Sequence, residues 1–348
     1  MSKKQFGGKI TSEDLKRYEA SPNWKSGAFQ NLERAKMDVG LTRVPGLLVK
    51  QIKSIKGGSP KSKLPIQKFD KAAFLQDSDE PKFIWYGHAV VLMRWKGLTL
   101  LIDPMLGPNA APIAPGGVKR FSKDTLDLID DFPDIDVLMM THDHYDHLDY
   151  ASMKMLIPKT KKFFVALGVK RHLTAWGVDE QKVTEFDWWD THALSELDFH
   201  FTPTRHFSGR GLKDRGKSLW GGWAILSDEF KFWFSGDGGY GKHFTEIGKR
   251  LGPFDLAFME SGQYAPEWHH IHMFPKESIK AAKEVGVKLA IPFHWAGFRL
   301  TYFHKWFESA EDFVEYAKAE NQAYATPALG ELFTPSNVST SPWWEKYK

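Results

Sequence analysis

The sequence predicts an α/β fold, on three observations. Short apolar segments of strand length recur between residues 82 and 293, later segments carry helix-boundary signals, and histidines or aspartates stand just after several of the strand-like segments. Taken in order, Lys82 to Trp85, Val90 to Trp95 and Leu98 to Ile102 are short and apolar, as strands of a first sheet require. Pro108 to Gly117, rich in Pro, Ala and Gly, reads as a loop of the kind that carries substrate contacts on a rigid scaffold. Ile135 with Val137 to Met140 reads as a buried strand, and Leu197 to Pro203, Phe230 to Phe234 and Val287 to Phe293 as three more. Ser278 to Gly286 reads as a helix, with Pro275 near its start and Gly286 at its end. Ala310 to Glu320 is a last helix, before a tail that returns through Gly330 to Phe333.

With 348 residues, 42% hydrophobic and 26% charged, the chain has the size and composition of one soluble globular domain with a large core. It has no cysteine, which excludes disulfides and thiolate zinc sites and fits a reducing compartment. The opening Met-Ser-Lys-Lys-Gln-Phe-Gly-Gly-Lys leads into no apolar signal-peptide region, and no run of about 18 apolar residues occurs, so the expected location is cytoplasmic.

The net charge of +4 is unevenly placed: residues 1–70 hold 15 Lys and Arg against 6 Asp and Glu, and the remainder 32 against 37. Within this basic part Pro45-Gly46 precedes Leu47, Leu48, Ile52 and Ile55, with Lys50, Lys53 and Lys56 towards the other side of a helical wheel, until Gly57-Gly58-Ser59-Pro60 ends it. Two readings stay open: a helix docking its apolar face on the core, or peripheral contact with an anionic membrane or another polyanion. No recognised motif accompanies the charge, so nucleic acid is not an expected partner. The oligomeric state is not legible.

Thr141-His142-Asp143-His144-Tyr145-Asp146-His147 packs His142, His144, Asp146 and His147 into six residues directly after a predicted strand. On a helix, residues two apart point to nearly opposite sides; at a strand end entering a tight turn, His142, His144, Asp146 and His147 can converge. Neutral imidazoles with a carboxylate suit zinc, manganese or iron, and the number of ligands suggests two ions.

This His-x-His-x-Asp-His run resembles the metallo-β-lactamase superfamily. More locally, Trp85-Tyr-Gly-His-Ala89, Leu101-Ile-Asp-Pro104, His144 to Tyr150, Leu219-Trp-Gly-Gly-Trp223, Ser235-Gly-Asp-Gly-Gly-Tyr240 and His272-Met-Phe-Pro-Lys-Glu277 resemble, in the expected order, the N-acyl-phosphatidylethanolamine-hydrolysing phospholipase D group and its bacterial relatives. The resemblance implies an αββα sandwich in a single domain spanning 1–348, with 1–75 a basic N-terminal extension and about 76–335 the catalytic core. It also implies three further ligands, for which His206, Asp237 and His294 are the candidates, each after a predicted strand. One divalent ion, expected to be zinc with manganese or iron as alternatives, would be held by His142, His144 and His206. A second would be held by Asp146, His147 and His294, with Asp237 bridging through its two oxygens.

Two such ions about 3.5 to 4 Å apart would activate a shared water as the bridging hydroxide. The implied activity is hydrolysis of a phosphodiester, with a phospholipid or another small molecule as substrate. A lactone or ester hydrolase on the same site is the first alternative; an iron-dependent oxidoreductase and a silent binding module are weaker ones.

Other candidates surround this set. Asp103 is placed by family analogy to hold a ligand imidazole, the alternative being a plain turn aspartate before Pro104. His88 could orient a ligand or cap a strand, and Asp149 could be a helix N-cap or a partner of the ligands. His272 is, with Asp146, the catalytic candidate: it could protonate the leaving alkoxide or hold the phosphate, whereas a solvated cluster with His269 and His270 is the bland reading. Glu260 stands where the group leads one to expect an apolar residue. Tyr264 and Arg299, with Arg205 beside His206, are candidates for substrate contact. Trp188, Trp189, Trp268 and Trp295 either wall the pocket or fill the core.

Overall fold

The computed structural model describes residues 3–35, 56–111, 118–211, 213–300 and 304–348. The amphipathic stretch 44–56 lies, but for Lys56, outside the described residues, as does the 108–117 loop from residue 112. After helix α1 (Ser12–Glu19) and the hairpin β1 (Trp24–Lys25) and β2 (Ala28–Phe29), the chain forms helix α2 (Lys71–Leu75) and strands β3 (Lys82–Trp85), β4 (Val91–Trp95) and β5 (Leu98–Ile102). There follow α3 (Leu128–Asp131), β6 (Ile135–Met140), α4 (Tyr150–Leu156), β7 (Thr160–Ala166), α5 (Lys170–Ala175) and β8 (Val183–Phe186). The second half runs β9 (Thr191–Leu194), β10 (Leu197–Pro203), β11 (Gly221–Leu226), β12 (Lys231–Phe234), α6 (His243–Arg250) and β13 (Phe254–Glu260). It closes with α7 (Pro275–Val285), β14 (Val287–Phe293), α8 (Glu308–Ala319) and β15 (Leu332–Phe333).

Two mixed sheets result, ordered β15-β3-β4-β5-β6-β7-β8 and β14-β13-β12-β11-β10-β9. They face each other through aromatic rings: Phe83 of β3 lies 5.3 Å from Phe232 and 6.4 Å from Phe258, Phe164 lies 5.2 Å from Phe199, and Phe186 lies 4.9 Å from Trp223. Helices cover the outer faces. Phe244, Ile247, Ala281 and Phe313 of α6, α7 and α8 join Trp233, Ala257 and Ala290 of the second sheet, while Phe74, Ile129, Met153 and Leu173 belong to the core of the first. With both faces covered, the inner strands read as near-continuous apolar runs, which is why their bounds could be read within a residue. The fold is thus the αββα sandwich.

Strands β5, β6, β7 and β8 are mutually parallel, as are β12, β13 and β14. Parallel strands bring their carboxyl ends to one edge, and β10, antiparallel to β11 as β11 is to β12, ends there too. Asp103, His142, His206, Asp237 and His294 all follow strands that end on that edge, and Glu260 is the last residue of one. Helix α7 begins three residues before the expected Ser278, because Pro275 fills its first position and the Phe274 N–H is taken by Glu277 Oε2 at 3.0 Å. It ends as expected at Gly286, whose φ of +78° suits glycine.

The tryptophans mostly serve the core. Trp188 and Trp295 are buried, their indole N–H groups donating to Trp220 O and Pro292 O, and Trp295 stacks among Trp85, Trp306 and Trp343. Among the described residues, no helix is long and apolar enough to cross a membrane.

Phe83, fully buried where the sheets meet, tests this packing. Phe83→Ala should lower unfolding free energy by about 3–5 kcal/mol in urea denaturation; a loss below about 1 kcal/mol would mean the sheets do not close through these rings.

Candidate metal centre

The motif turn after β6 places three imidazole nitrogens in one group: His144 Nδ1 is 2.9 Å from His142 Nε2 and 3.2 Å from His206 Nε2. Burial holds His142 and His206 well below the ordinary histidine range, and it lowers His144 as well. With the Nδ1 protons of His142 and His206 given to Thr141 and Ile271, both Nε2 lone pairs face His144 Nδ1, and a shared proton or a cation must sit among them. The spacing approaches the roughly 3.3 Å edge of a tetrahedron whose ligands lie about 2.0 Å from its centre.

A second group stands beside it. Asp237 Oδ2 is 3.0 Å from His147 Nε2 and 2.9 Å from His294 Nε2, and Asp146 Oδ2 is 3.4 Å from His294 Nε2 and 3.8 Å from His147 Nε2. Burial alone would raise both carboxyls, but His147 and its neighbours hold Asp146 and Asp237 well below the usual carboxylate range. The converse holds for the rings: burial lowers His294, yet Asp237 and Asp146 outweigh it and push it up to about 10. Two close anions, Asp237 buried and Asp146 half-buried, thus demand positive charge at this point, which a divalent ion would supply. Asp237 Oδ2 also comes within 4.0 Å of His206 Nε2, joining the groups. The second oxygen, Oδ1, is buried without a hydrogen-bond partner among the described residues, an orphan acceptor that a cation would satisfy. On these grounds the residues present fit two metal ions. Gly236, at φ +66°, lets the backbone pass here: a Cβ would lie 2.2 Å from Gly221 O.

Behind the ligands, the His142, His147 and His206 rings are each held by their other nitrogen. Asp103 Oδ2 accepts from His147 Nδ1 at 2.8 Å and from the Thr141 hydroxyl at 2.5 Å, while its Oδ1 accepts the Thr141 N–H at 2.8 Å. With its proton given to Asp103, Thr141 Oγ1 accepts from His142 Nδ1 at 2.9 Å. His206 Nδ1 donates to Ile271 O at 2.9 Å. Glu260, fully buried, accepts from His272 Nδ1 at 3.2 Å and from the Met273 and Gly262 N–H groups, each at 3.0 Å, and stands 3.7 Å from His294 Nδ1. Such partners fix tautomer and ring orientation.

Of the open choices, His88 reaches a candidate ligand. Its Nε2 donates to Asp146 Oδ2 at 3.0 Å, burial lowering its pKa to about 3 so that the ring is neutral, and its backbone bridges to Trp295. Asp149 caps α4, accepting from the N–H groups of Ala151 and Ser152 at 2.8 and 3.1 Å. His272 stands apart from its neighbours: its ring lies 5.1 Å from that of His206 and 5.2 Å from that of His294, whereas the His269 and His270 rings meet each other at a tilt.

Three candidates for substrate contact make other contacts in the structure. The Tyr264 hydroxyl donates to Asp312 at 2.5 Å on α8, drawn there by a carboxylate. Arg205 gives its guanidinium to the carbonyls of Tyr240 and Arg34. Arg299 packs against Gly58, beside a cavity of about 660 Å³ shared with Lys61, Lys63 and Lys119. Residues 141 and 271, which position ligands through a hydroxyl and a carbonyl, had no distinguishing mark in the sequence; only Thr141's place before the motif could have drawn attention to it.

Comparison with known proteins accords with this geometry. Residues 99–295 match the family model described as Beta-lactamase superfamily domain. The chain is 34% identical over 331 residues to an uncharacterized protein of Mycobacterium tuberculosis, covering 94% of this chain and 88% of that one. It is 32% identical over 271 residues to N-acyl-phosphatidylethanolamine-hydrolyzing phospholipase D 1 of Caenorhabditis elegans, covering 73% and 75%. Among solved structures, Igni18, a metallo hydrolase of Ignicoccus hospitalis, superposes with a TM-score of 0.56 at 22% identity over 73% of this chain and 97% of that one, a likeness of fold. The chain therefore belongs to the metallo-β-lactamase superfamily of metal-dependent hydrolases and is a homologue of the N-acyl-phosphatidylethanolamine-hydrolysing phospholipases D.

Proposed function

We propose that this chain is a binuclear phosphodiesterase acting on a phospholipid-like diester. The observation that carries the reading is the pair of ligand groups joined by Asp237 Oδ2, with His272 on Glu260 at its rim. His142, His144 and His206 would hold one divalent ion and Asp146, His147 and His294 the other, with Asp237 between them. When bound, two such ions lower the pKa of water and neutralise charge gathering on phosphoryl oxygens. The chain's own residues do the rest. Asp103 and Thr141 keep His147 and His142 presenting Nε2 to the cluster. Glu260 holds the Nδ1–H of His272 and leaves Nε2 to carry a proton towards a leaving alkoxide.

We read the chain as one catalytic unit, about 76–335 its core. The charge of residues 1–70 and the lipid named for the worm relative support a substrate presented at an anionic surface.

Three outcomes test this. After reconstitution with zinc, manganese or iron, purified protein should carry up to two ions per chain by metal analysis, and Asp237→Ala should lose more metal and activity than Asp146→Ala because it serves both groups; trace metal only would end the proposal. On phosphodiesters with poor leaving groups, His272→Ala should lower kcat by roughly 10² to 10⁴ with metal content unchanged, and by much less on a nitrophenyl ester. Equal losses on both would assign His272 to positioning, and turnover of lactones alone would replace the phosphodiesterase reading. Changing Lys50, Lys53 and Lys56 together to Gln should weaken sedimentation with phosphatidylserine liposomes, by about 1 kcal/mol per lysine at the surface, and spare a soluble diester; a wild-type chain that ignores such liposomes at low salt removes the membrane part.

A further inference from the structure

The turn from Asp143 to Leu148, which carries His144, Asp146 and His147, is gripped from outside by one buried side chain. Arg210 is 3% exposed, and its Nη1 donates to Asp143 O at 2.7 Å and to Leu148 O at 2.6 Å, the two ends of the turn. Its guanidinium carbon stands 4.0 Å over the Tyr145 ring, whose hydroxyl returns to Arg210 O at 2.7 Å. A buried cation must find acceptors for all its donors. The other edge of the guanidinium finds them in the N-terminal segment, Nη2 and Nε donating to Gln5 O at 2.7 and 3.3 Å.

That segment is shaped to its place. Gly7 has φ +75° and a Cβ there would lie 2.0 Å from His172 Nδ1; one at Gly8 would lie 2.0 Å from Arg171 O. His172 and Arg171 stand 3.2 and 3.5 Å from the carboxylate of Asp143, between two candidate ligands. Further along, Asn31 takes both backbone groups of a third: its Nδ2 donates to His206 O at 2.8 Å, and its Oδ1 accepts the His206 N–H at 3.0 Å. Glu33 then accepts the Lys242 N–H at 2.7 Å, so the segment also reaches the chain that follows Asp237.

We propose that residues 3–33 are a strap that sets the spacing of the two ligand loops, with Arg210 and Asn31 as its positioning residues; this rests on the ligand assignment proposed above. A dinuclear centre needs its loops held against the repulsion of like groups before metal enters. Here the first loop belongs to one sheet and His206 to the other; Arg210, four residues after His206, hydrogen-bonds to the first loop, and the N-terminal segment holds both Arg210 and His206.

The test uses the full chain and zinc alone, titrated in competition with a chromogenic chelator, together with the thermal melt of the apoprotein. Asn31→Ala should weaken one binding step by roughly 10- to 100-fold and leave the other at its wild-type value, because His206 is the one candidate ligand that Asn31 holds, its other partner being the Trp220 indole; Arg210→Lys should weaken both steps by that range, because its turn feeds both groups. Gly7→Ala, which displaces the strap without touching Arg210, should reproduce the Arg210→Lys pattern and decides the matter if Arg210→Lys fails to fold. Gly97→Ala, at a hairpin tip where a Cβ meets nothing within 4 Å, is the control for glycine loss. Wild-type zinc affinities in Asn31→Ala and Gly7→Ala, beside a lowered apoprotein melt, would overturn the strap and leave these contacts as ordinary packing. A wild-type chain that takes up no zinc would instead sink the ligand assignment.

Discussion

Asp237 sits between the two halves of the sandwich, and its carboxylate sets the terms for everything around it. One oxygen lies 3.0 Å from His147, which comes from the first sheet, and 2.9 Å from His294, which comes from the second. A buried anion with Asp146 close by is costly unless matched by positive charge. The fold answers by converging five imidazoles, three of which burial keeps neutral and two of which the carboxylates pull towards the cation. The two ligand groups, three imidazoles on one side and two imidazoles with carboxylates on the other, are suited to two ions.

The convergence is held by backbone in an unfavourable conformation. His88, Asp103 and His294 have φ of +54°, +41° and +71°, each a residue with a Cβ in the left-handed region. Such positions cost on the order of 1–3 kcal/mol each and persist where the surroundings over-determine them. Here they are over-determined: the His88 N–H donates to Trp295 O at 2.7 Å, His88 O accepts the His294 N–H at 2.9 Å, and Asp103 accepts from both Thr141 and His147. The same bridge joins the loop after β3 to the loop after β14, so closing the sandwich and aiming the ligands are one event.

Glu260 illustrates how a departure from a family pattern acquires meaning only in three dimensions. In the sequence it is a carboxylate in place of an apolar residue. In the structure it is fully buried, receives two backbone N–H groups and holds His272 by Nδ1. The histidine that would handle the leaving group is therefore not a loose rim residue but one whose ring is oriented by a fixed acceptor, a device of the same kind as Asp103 for His147.

What the sequence determined by itself was the local part. Strand bounds such as Lys82–Trp85 and Ile135–Met140 were legible because strands covered on both faces must be apolar at every position. The His142–His147 run was legible because its spacing makes chemical sense only at a strand end. His206, Asp237 and His294 could be picked out through the family's order of motifs, since the parallel strands deliver them to one edge. Tertiary structure alone decided the rest. That Asp149 caps a helix, that Tyr264 turns to Asp312, and that Arg210 joins Gln5 to the motif turn are contacts between residues whose identities are ordinary. A short polar side chain or a carbonyl can serve many partners, and no periodicity or spacing records which one the packed chain will bring within 3 Å.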